Sequence, residues 1–302
     1  MTTVVPGRTP ERDRRRERTG ATGAGRPFAG FTLRRALITG CAWLIGFVFL
    51  APYLQMLLTS LKPAQELFRT PATFLPEQWQ WANFVEVWNV APIGEHLRVT
   101  LIVATCSTLL VLLVATPAAY YTARNTYRGR TAFLLLVLVT QMFAPTALVI
   151  GLYRQFVALD LVDTYLALIL VNAAFNLAFS TWILTATFAS IPKDLEDAGM
   201  ADGLGRIGVL LRITIPTALP GVVTAVIFTF ISAWNEFVVA LTLSTSENRQ
   251  PLTVGITAFI GQYEVQWQYL FAASLVAVLP VVVLFVFIER YLVSGLTAGS
   301  FR

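Results

Sequence analysis

The chain has 302 residues, of which 56% are hydrophobic and 13% are charged, with a net charge of +5 and a mean hydropathy of +0.67. A soluble globular domain carries about 25% charged residues. The composition therefore excludes an ordinary soluble domain and predicts an all-α integral membrane protein.

Six apolar stretches are long enough to cross a bilayer, which takes about 20 residues per helix. We predict six transmembrane helices, at residues 36–60, 97–121, 131–152, 165–187, 215–243 and 270–291. The first follows a basic segment as a signal peptide would, but it is too long for a signal sequence and we expect it to be retained.

The basic residues predict the orientation. With a cytoplasmic N-terminus, 17 of the 22 lysines and arginines fall on the cytoplasmic side, and five remain outside: Lys62, Arg69, Arg98, Arg154 and Arg249. Positive charge concentrates on the cytoplasmic side of membrane proteins. We therefore expect a multi-pass protein of the inner or plasma membrane with both termini in the cytoplasm.

Residues 1–33 are basic and contain few apolar residues, so we expect a disordered cytoplasmic tail that precedes a membrane domain at residues 34–302. The arginines from Arg14 to Arg16 could bind nucleic acid or anionic lipid. The positive-inside rule explains them without either partner, and we expect no nucleic-acid partner.

Few residues are available for enzyme chemistry. Neither of the two lysines, Lys62 and Lys193, follows glycine, as the lysine of a phosphate-binding loop does. Cys41, Cys106 and the single histidine, His96, form no metal-binding or nucleophile–base pattern, so we expect no metal site and no intramembrane enzyme. Any ATP chemistry must come from another chain.

The cytoplasmic loop 188–214 contains signals for a short helix. Ser190 can cap it, Pro192 suits its first turn, and acidic residues near its start favour the helix dipole. Gly203 is a natural left-handed stop. We expect a helix of about two turns, in which Ala198 and Gly199 let another surface approach the backbone.

A further motif follows this helix. Nine residues follow Gly203, and the sequence then reads Ile213-Thr214-Ile215-Pro216. Together the two segments resemble the "EAA" signature of type I ABC importer permeases, with Asp197-Ala198-Gly199 where Glu-Ala-Ala is usual. Gly199 and Ile215 depart from the pattern but keep its small and apolar character. The resemblance implies a coupling helix that docks on a separate ATPase through Glu196, Asp197, Ala198, Gly199, Met200, Asp202 and Gly203.

Four other segments are similar to the smaller permease of carbohydrate importers of the maltose and glycerol-phosphate type. They are Ser60-Leu61-Lys62-Pro63 with Glu66-Leu67-Phe68, Trp234-Asn235-Glu236-Phe237, Pro251-Leu252-Thr253-Val254-Gly255 and the C-terminal run from Glu289 to Gly299. The resemblance extends from about residue 34 to the end of the chain. It implies a non-catalytic subunit without a cofactor, paired with a second homologous permease. Two ATPase subunits would bind ATP and Mg, and an extracytoplasmic binding protein would deliver the sugar.

The candidate substrate path contains Glu236, the only acid well inside an apolar stretch. With Asn235 it either lines the path or joins helices through hydrogen bonds, and both interpretations stay open. Weaker candidates for sugar contact are Trp234, Asn172, Asn176 and Gln141. In maltose-type importers the other permease chiefly holds the substrate.

The external segment 244–269 resembles the loop that probes the cleft of the binding protein, and the candidate contacts are Pro251, Leu252, Thr253, Gly255 and Gln262. Two other functions remain possible from the sequence. One is an importer of the same architecture for peptides, amino acids or ions. The other is a stand-alone secondary transporter, although the internal repeats common in that class are not evident here.

Overall fold

A computed structural model describes the backbone from Ala29 to Ala298 and the side chains from Arg34 to Glu289. The predicted tail, residues 1–33, lies outside the residues whose side chains are described. Within the described backbone the regular elements are helices, accompanied by one isolated antiparallel bridge between Ile260 and Val265. The predicted all-helical class is confirmed.

The chain divides into two compact units, residues 1–52 and residues 53–302. Most of helix α1 (Ala29–Ser60) belongs to the first unit. Its side chains between Leu37 and Leu50 are largely exposed, and many are large and apolar. Such a surface suits contact with lipid.

The second unit holds the remaining helices, three of them short non-α turns. In chain order these are α2 (Ala64–Leu67), α3 (Asn83–Val90), α4 (Ile93–Arg124), α5 (Arg130–Thr140), α6 (Pro145–Ala158), α7 (Tyr165–Ala189), α8 (Lys193–Ala201), α9 (Arg206–Val209), a π-helical turn (Leu210–Thr214), α10 (Ile215–Thr217), α11 (Leu219–Trp234), α12 (Val238–Leu243), a 3₁₀ turn (Glu247–Arg249), α13 (Leu252–Gly255), a second 3₁₀ turn (Ile256–Phe259) and α14 (Trp267–Ala298).

Four of the six predicted spans are continuous helices. Apolar segments long enough to cross a membrane lie at Arg34–Ser60, Ile93–Arg124, Tyr165–Ala189 and Trp267–Glu289. The two other predicted spans are bent helix pairs, so the described residues contain four spans, or six if each pair is one crossing.

The third and fifth predicted spans are each a pair of helices joined by a sharp bend. α5 and α6 meet at 93°, and the segment Arg206–Thr217 meets α11 at 84°. Proline explains both bends. Ala144 is extended because Pro145 disfavours a helical conformation in the preceding residue, and Pro216 and Pro220 cannot donate backbone hydrogen bonds across the second bend.

The core of the second unit forms where α4, α7 and α11 pack together. Small buried residues such as Ala115, Ala119 and Ala225 let the helices approach closely. Polar contacts also join them, including a hydrogen bond of 2.9 Å between Ser180 on α7 and Thr229 on α11. These contacts hold the helices whose ends carry the sites described below.

Hydrogen bonds join segments that are far apart in the sequence at both ends of this helix group. At one end the carboxylate of Asp163 accepts bonds from the backbone N–H groups of Thr245 and Ser246, both at 3.0 Å. At the same end His96 Nδ1 lies 2.8 Å from the carbonyl oxygen of Gln250. Asp163 and these partners all belong to segments predicted to be external.

Candidate functional site

The predicted short helix between the fourth and fifth spans exists as α8, which has nine residues. Pro192 precedes its first residue, and no side chain caps it. The predicted cap by Ser190 is wrong, because Ser190 instead ends α7 and its hydroxyl donates to the carbonyl oxygen of Thr187 at 2.7 Å.

The predicted stop at Gly203 is confirmed. Gly203 has a φ of +89°, and its N–H donates to Met200 at 3.0 Å while the N–H of Leu204 donates to Gly199 at 3.1 Å. This pair of bonds is the Schellman pattern, which needs a left-handed residue after the helix and so favours glycine. The chain consequently turns sharply at the end of α8.

α8 presents one face outward and one face to its own chain. Leu195 and Met200 are 46% and 44% exposed, and Asp197, Ala198, Asp202 and Gly203 are also exposed. The buried residues of α8 are Glu196 and Gly199. Of the seven predicted coupling residues, these two therefore face the protein itself.

Gly199 packs closely against the π-helical turn. A Cβ built on Gly199 would overlap Cδ1 of Ile213 and would lie 3.6 Å from side-chain atoms of Leu204 and Val209. The surface that approaches the backbone of α8 at Gly199 therefore belongs to the same chain.

Glu196 binds two other elements through one carboxylate. Arg124, at the end of α4, donates from Nε at 2.9 Å and from Nη2 at 2.6 Å. Thr214, at the end of the π-helical turn, donates its hydroxyl at 2.8 Å, and Tyr120 of α4 donates its hydroxyl at 2.9 Å. Arg124 also donates to the carbonyl oxygen of Ile191 at 3.1 Å.

The protonation of Glu196 follows from these contacts. Burial by itself would raise the pKa of the carboxyl, but the hydrogen bonds from Arg124, Thr214 and Tyr120 outweigh it and lower the pKa. Glu196 is therefore ionised at neutral pH, and its charge is balanced by Arg124, whose side chain is 10% exposed.

Sequence reasoning missed the partners of Glu196. Arg124 was counted only as one of the 17 basic residues expected on the cytoplasmic side, and neither Tyr120 nor Thr214 was predicted to be a site residue. Arg124 and Glu196 are 72 residues apart, and no local spacing relates them. An acid that follows a helix start by one turn gives no indication of its partner.

The candidate path residues on α7 are buried and satisfied within their own helix. Asn172 and Asn176 are each 4% exposed. Their amides donate to the carbonyl oxygens of Leu168 and Asn172 at 2.9 and 2.8 Å. Trp234, on α11, is also buried and stacks on Phe230 with ring centroids 5.6 Å apart. Gln141 lies exposed at the break between α5 and α6.

Glu236 and Asn235 are neighbours with different surroundings. The carboxylate of Glu236 accepts bonds from the N–H groups of Val239 at 2.8 Å and Ala240 at 2.9 Å, which satisfies the start of α12. Asn235 is exposed and lies at the end of a groove of about 570 Å³ along α11.

The groove contains residues that the sequence-based list omitted. Its lining residues, which recur at helical spacing on one face of α11, are Thr224, Ile227, Phe228, Ile231, Ser232 and Asn235. That spacing in an apolar segment was the signal that could have found the polar members, Thr224 and Ser232.

Most predicted contacts of the external loop are buried or hydrogen-bonded within this chain. Pro251, Leu252 and Gly255 are buried. The N–H of Leu252 donates a hydrogen bond to the hydroxyl oxygen of Thr100 at 2.7 Å. Thr253 donates to the carbonyl oxygen of Glu236 at 2.7 Å. Gln262 is exposed, next to Tyr263, which is 93% exposed.

The described helices thus combine apolar spans with a short, sharply terminated helix held against the ends of two of them. Residues 115–297 match the family described as the binding-protein-dependent transport system inner membrane component. The chain belongs to this family and is a multi-pass membrane protein.

Relatives of known name agree with this assignment. The chain is 36% identical to the sulfoquinovosyl glycerol transport system permease protein SmoH of Agrobacterium fabrum, covering 91% of this chain and 95% of that protein. It is 32% identical to the trehalose/maltose transport system permease protein MalG of Thermococcus litoralis, covering 89% and 98% respectively.

A solved structure shares the fold. One chain of a bacterial ABC transporter involved in the import of the acidic polysaccharide alginate superposes with a TM-score of 0.73 and 20% identity. The match covers 90% of this chain and 99% of that chain.

Proposed function

We propose that this chain is the permease subunit of an ATP-driven importer that translocates a carbohydrate delivered by an extracytoplasmic binding protein. The observation that carries the proposal is α8, a short helix with an exposed outer face that ends sharply at Gly203 and is anchored to the ends of α4 and the π-helical turn. Such a helix can receive force from a separate ATPase and pass it to the spans.

The proposed topology has six crossings, both termini in the cytoplasm, and residues 1–33 as a cytoplasmic tail before a membrane domain at residues 34–302. α7 has 25 residues, a length of about 37 Å at the usual rise per residue, so Asp163 and Ile191 lie at opposite ends of the helix group. α5 and α6 carry the chain from the Arg124 end to the Asp163 end, which supports a crossing by this bent pair. α11 carries it from the Thr214 end to the end near Ser244 and supports another crossing.

α8 would dock on the ATPase through its exposed residues. The exposed members of the predicted set are Asp197, Ala198, Met200, Asp202 and Gly203. Their mixture of apolar and acidic groups suits a cleft that contains both apolar and basic side chains. ATP and Mg would be bound by that partner, and the permease itself would be neither catalytic nor cofactor-dependent.

A second, related permease would pair with this chain. α5 and α6 support this pairing because Val137 and Phe156 are their only buried residues in the part of the chain that the structure describes. The exposed groove on α11, which ends at Asn235, would line the substrate path between the two permeases. Phe228 and the polar groups of Ser232 and Asn235 combine the aromatic and hydrogen-bonding surfaces that sugars bind.

The choice of carbohydrate rests on the relatives. Proteins named for the transport of sulfoquinovosyl glycerol, diacetylchitobiose and trehalose or maltose are 30–36% identical to this chain. On the outer side, Gln262 and Tyr263 are among the exposed groups of the external loop that a binding protein could contact.

Reconstitution tests the proposal. The chain is co-expressed with a second permease, an ATPase and a binding protein, and proteoliposomes are assayed for uptake of labelled sugars. We expect uptake that requires ATP, the binding protein and both permeases. Uptake of amino acids, peptides or ions instead would show the same architecture with another substrate, and ion-driven uptake by this chain alone would show a secondary transporter.

A further inference from the structure

Two buried residues of α8 contact the rest of the chain. Glu196 and Gly199 are the buried residues of this helix, and Gly199 has no side chain that could form a directional bond. The directional contacts of α8 side chains therefore come from the Glu196 carboxylate, which four hydrogen bonds hold in place.

The bond to Arg124 is rigid in orientation as well as strong. The guanidinium donates two hydrogen bonds to one carboxylate oxygen and a third to the carbonyl oxygen of Ile191, in the segment that enters α8. A planar group held at three points fixes the angle between the elements that it joins. A movement of α8 would thus move the end of α4 with it.

The bond to Thr214 leads to a different element. Thr214 is fully buried and is the last residue of the π-helical turn, and the short helix α10 separates it from the bend into α11. π-helical turns interrupt the regular backbone hydrogen bonds and are frequent at functional sites. Since α11 carries the groove that ends at Asn235, the hydroxyl of Thr214 links α8 to the bend that orients that groove.

We infer that Glu196 is a positioning residue, the joint through which a displacement of α8 reaches both α4 and the bend before α11, and that it does not touch the ATPase. This inference rests on the proposed function. It separates the predicted coupling residues into an exposed group that meets the partner and a buried carboxylate that passes the movement inward. Both oxygens of that carboxylate already accept bonds from their own chain, and only 5% of the residue is exposed.

Glu196→Gln and Thr214→Val test the joint while keeping side-chain size. Glutamine loses the charge and turns an amide toward the donors of Arg124 or Tyr120, and valine replaces the hydroxyl with a methyl group. Glu66→Gln is the matched control, because Glu66 is also buried, accepts a bond from Thr73 at 2.5 Å, and lies in α2, away from α8 in the chain.

The expected result separates assembly from coupling. In the reconstituted complex, Glu196→Gln retains the ATPase, but substrate-stimulated ATP hydrolysis and uptake per complex fall about tenfold, and Thr214→Val lowers them less. Glu66→Gln lowers the membrane yield and leaves uptake per complex unchanged. If Glu196 had only a structural role, Glu196→Gln would behave like Glu66→Gln, with a lower membrane yield and unchanged uptake per complex.

A distance measurement reports the joint itself. Spin labels on Thr126→Cys and Asp194→Cys, in a chain with Cys41 and Cys106 changed to serine, measure the separation between the α4 end and α8. We expect a narrow distance distribution that broadens with Glu196→Gln and stays narrow with Glu66→Gln.

Two results would overturn the inference. One is normal coupling in Glu196→Gln, and the other is loss of the ATPase from that variant with an unchanged label distance, which would place Glu196 in contact with the partner. If the unmodified chain fails to retain any ATPase, the proposed function itself fails, whatever the variant does.

Discussion

Gly199 of α8 and Ile213 of the π-helical turn are packed so closely that position 199 has no room for a side chain without movement of its neighbour. The atom in the way is the terminal methyl of Ile213, the flexible end of a side chain. A single added methyl group can therefore be accommodated by a rotation of Ile213, whereas a larger group must displace α8.

We predict that Gly199→Ala is tolerated and that Gly199→Leu is not. Alanine also removes the helix-destabilising glycine, worth about 1 kcal/mol, which offsets the cost of moving Ile213. Leucine would overpack the contact at a cost of about 1–3 kcal/mol. Thermal unfolding in detergent and ATPase retention check this, and equal behaviour of the two variants would contradict the packing argument.

Gly203→Val should tilt or fray the end of α8. A non-glycine residue in the left-handed conformation costs about 1 kcal/mol, and a β-branched residue costs more. We expect near-normal membrane levels, weakened ATPase retention and loss of substrate-stimulated hydrolysis.

Gly205→Ala is the control for that substitution. Gly205 has a φ of −71°, and a Cβ built there meets nothing within 4 Å, so an L-residue fits without strain. Full uptake and ATPase binding in Gly203→Val would show that α8 is not the coupling element.

Glu236→Ala should act mainly on stability and Asn235→Ala mainly on transport. The first change leaves the N–H groups of Val239 and Ala240 without their acceptor, a capping loss of about 1 kcal/mol. The second removes a polar group from the exposed groove. Thermal unfolding and uptake per complex distinguish them, and a reversed pattern would place Glu236 on the path.

The contribution of Glu196 to stability should depend on pH in one direction. Because its folded-state pKa is lowered, the stabilisation is fully present above the ordinary glutamate pKa of about 4.3 and is lost as the pH falls through the lower folded value. The difference in unfolding temperature between the unmodified chain and Glu196→Gln should be constant from pH 6 to pH 8 and shrink below about pH 4. A difference that grows on acidification would contradict the assigned ion pair.

Reporter fusions should show the orientation. A reporter at Thr126 or after Arg302 is expected in the cytoplasm, and one near Gln80 outside, because 17 of 22 basic residues then lie inside. An external reporter after Arg302 would overturn the six-crossing topology and the cytoplasmic location of α8.

The class of the fold, the position of α8 and its stop at Gly203 could all be predicted because each depends on local chemistry. Apolar length sets where helices can cross a membrane. A glycine after a run of helix-forming residues marks a left-handed stop. The Ser190 cap failed because α7 continued to that residue and used its hydroxyl.

The sequence by itself determined that the chain is helical, membrane-spanning and equipped with a short helix between two spans, since composition, apolar length and the EAA-like spacing are local properties. Only the tertiary structure decided that Glu196 faces Arg124, that Glu236 caps α12, and that Asn235 opens onto a groove. The physical reason is that a carboxylate takes its role from the donors around it. For Glu196, helix packing brings the donors together from positions that are distant in the chain. For Glu236, the donors are nearby N–H groups that the backbone orients at the start of α12.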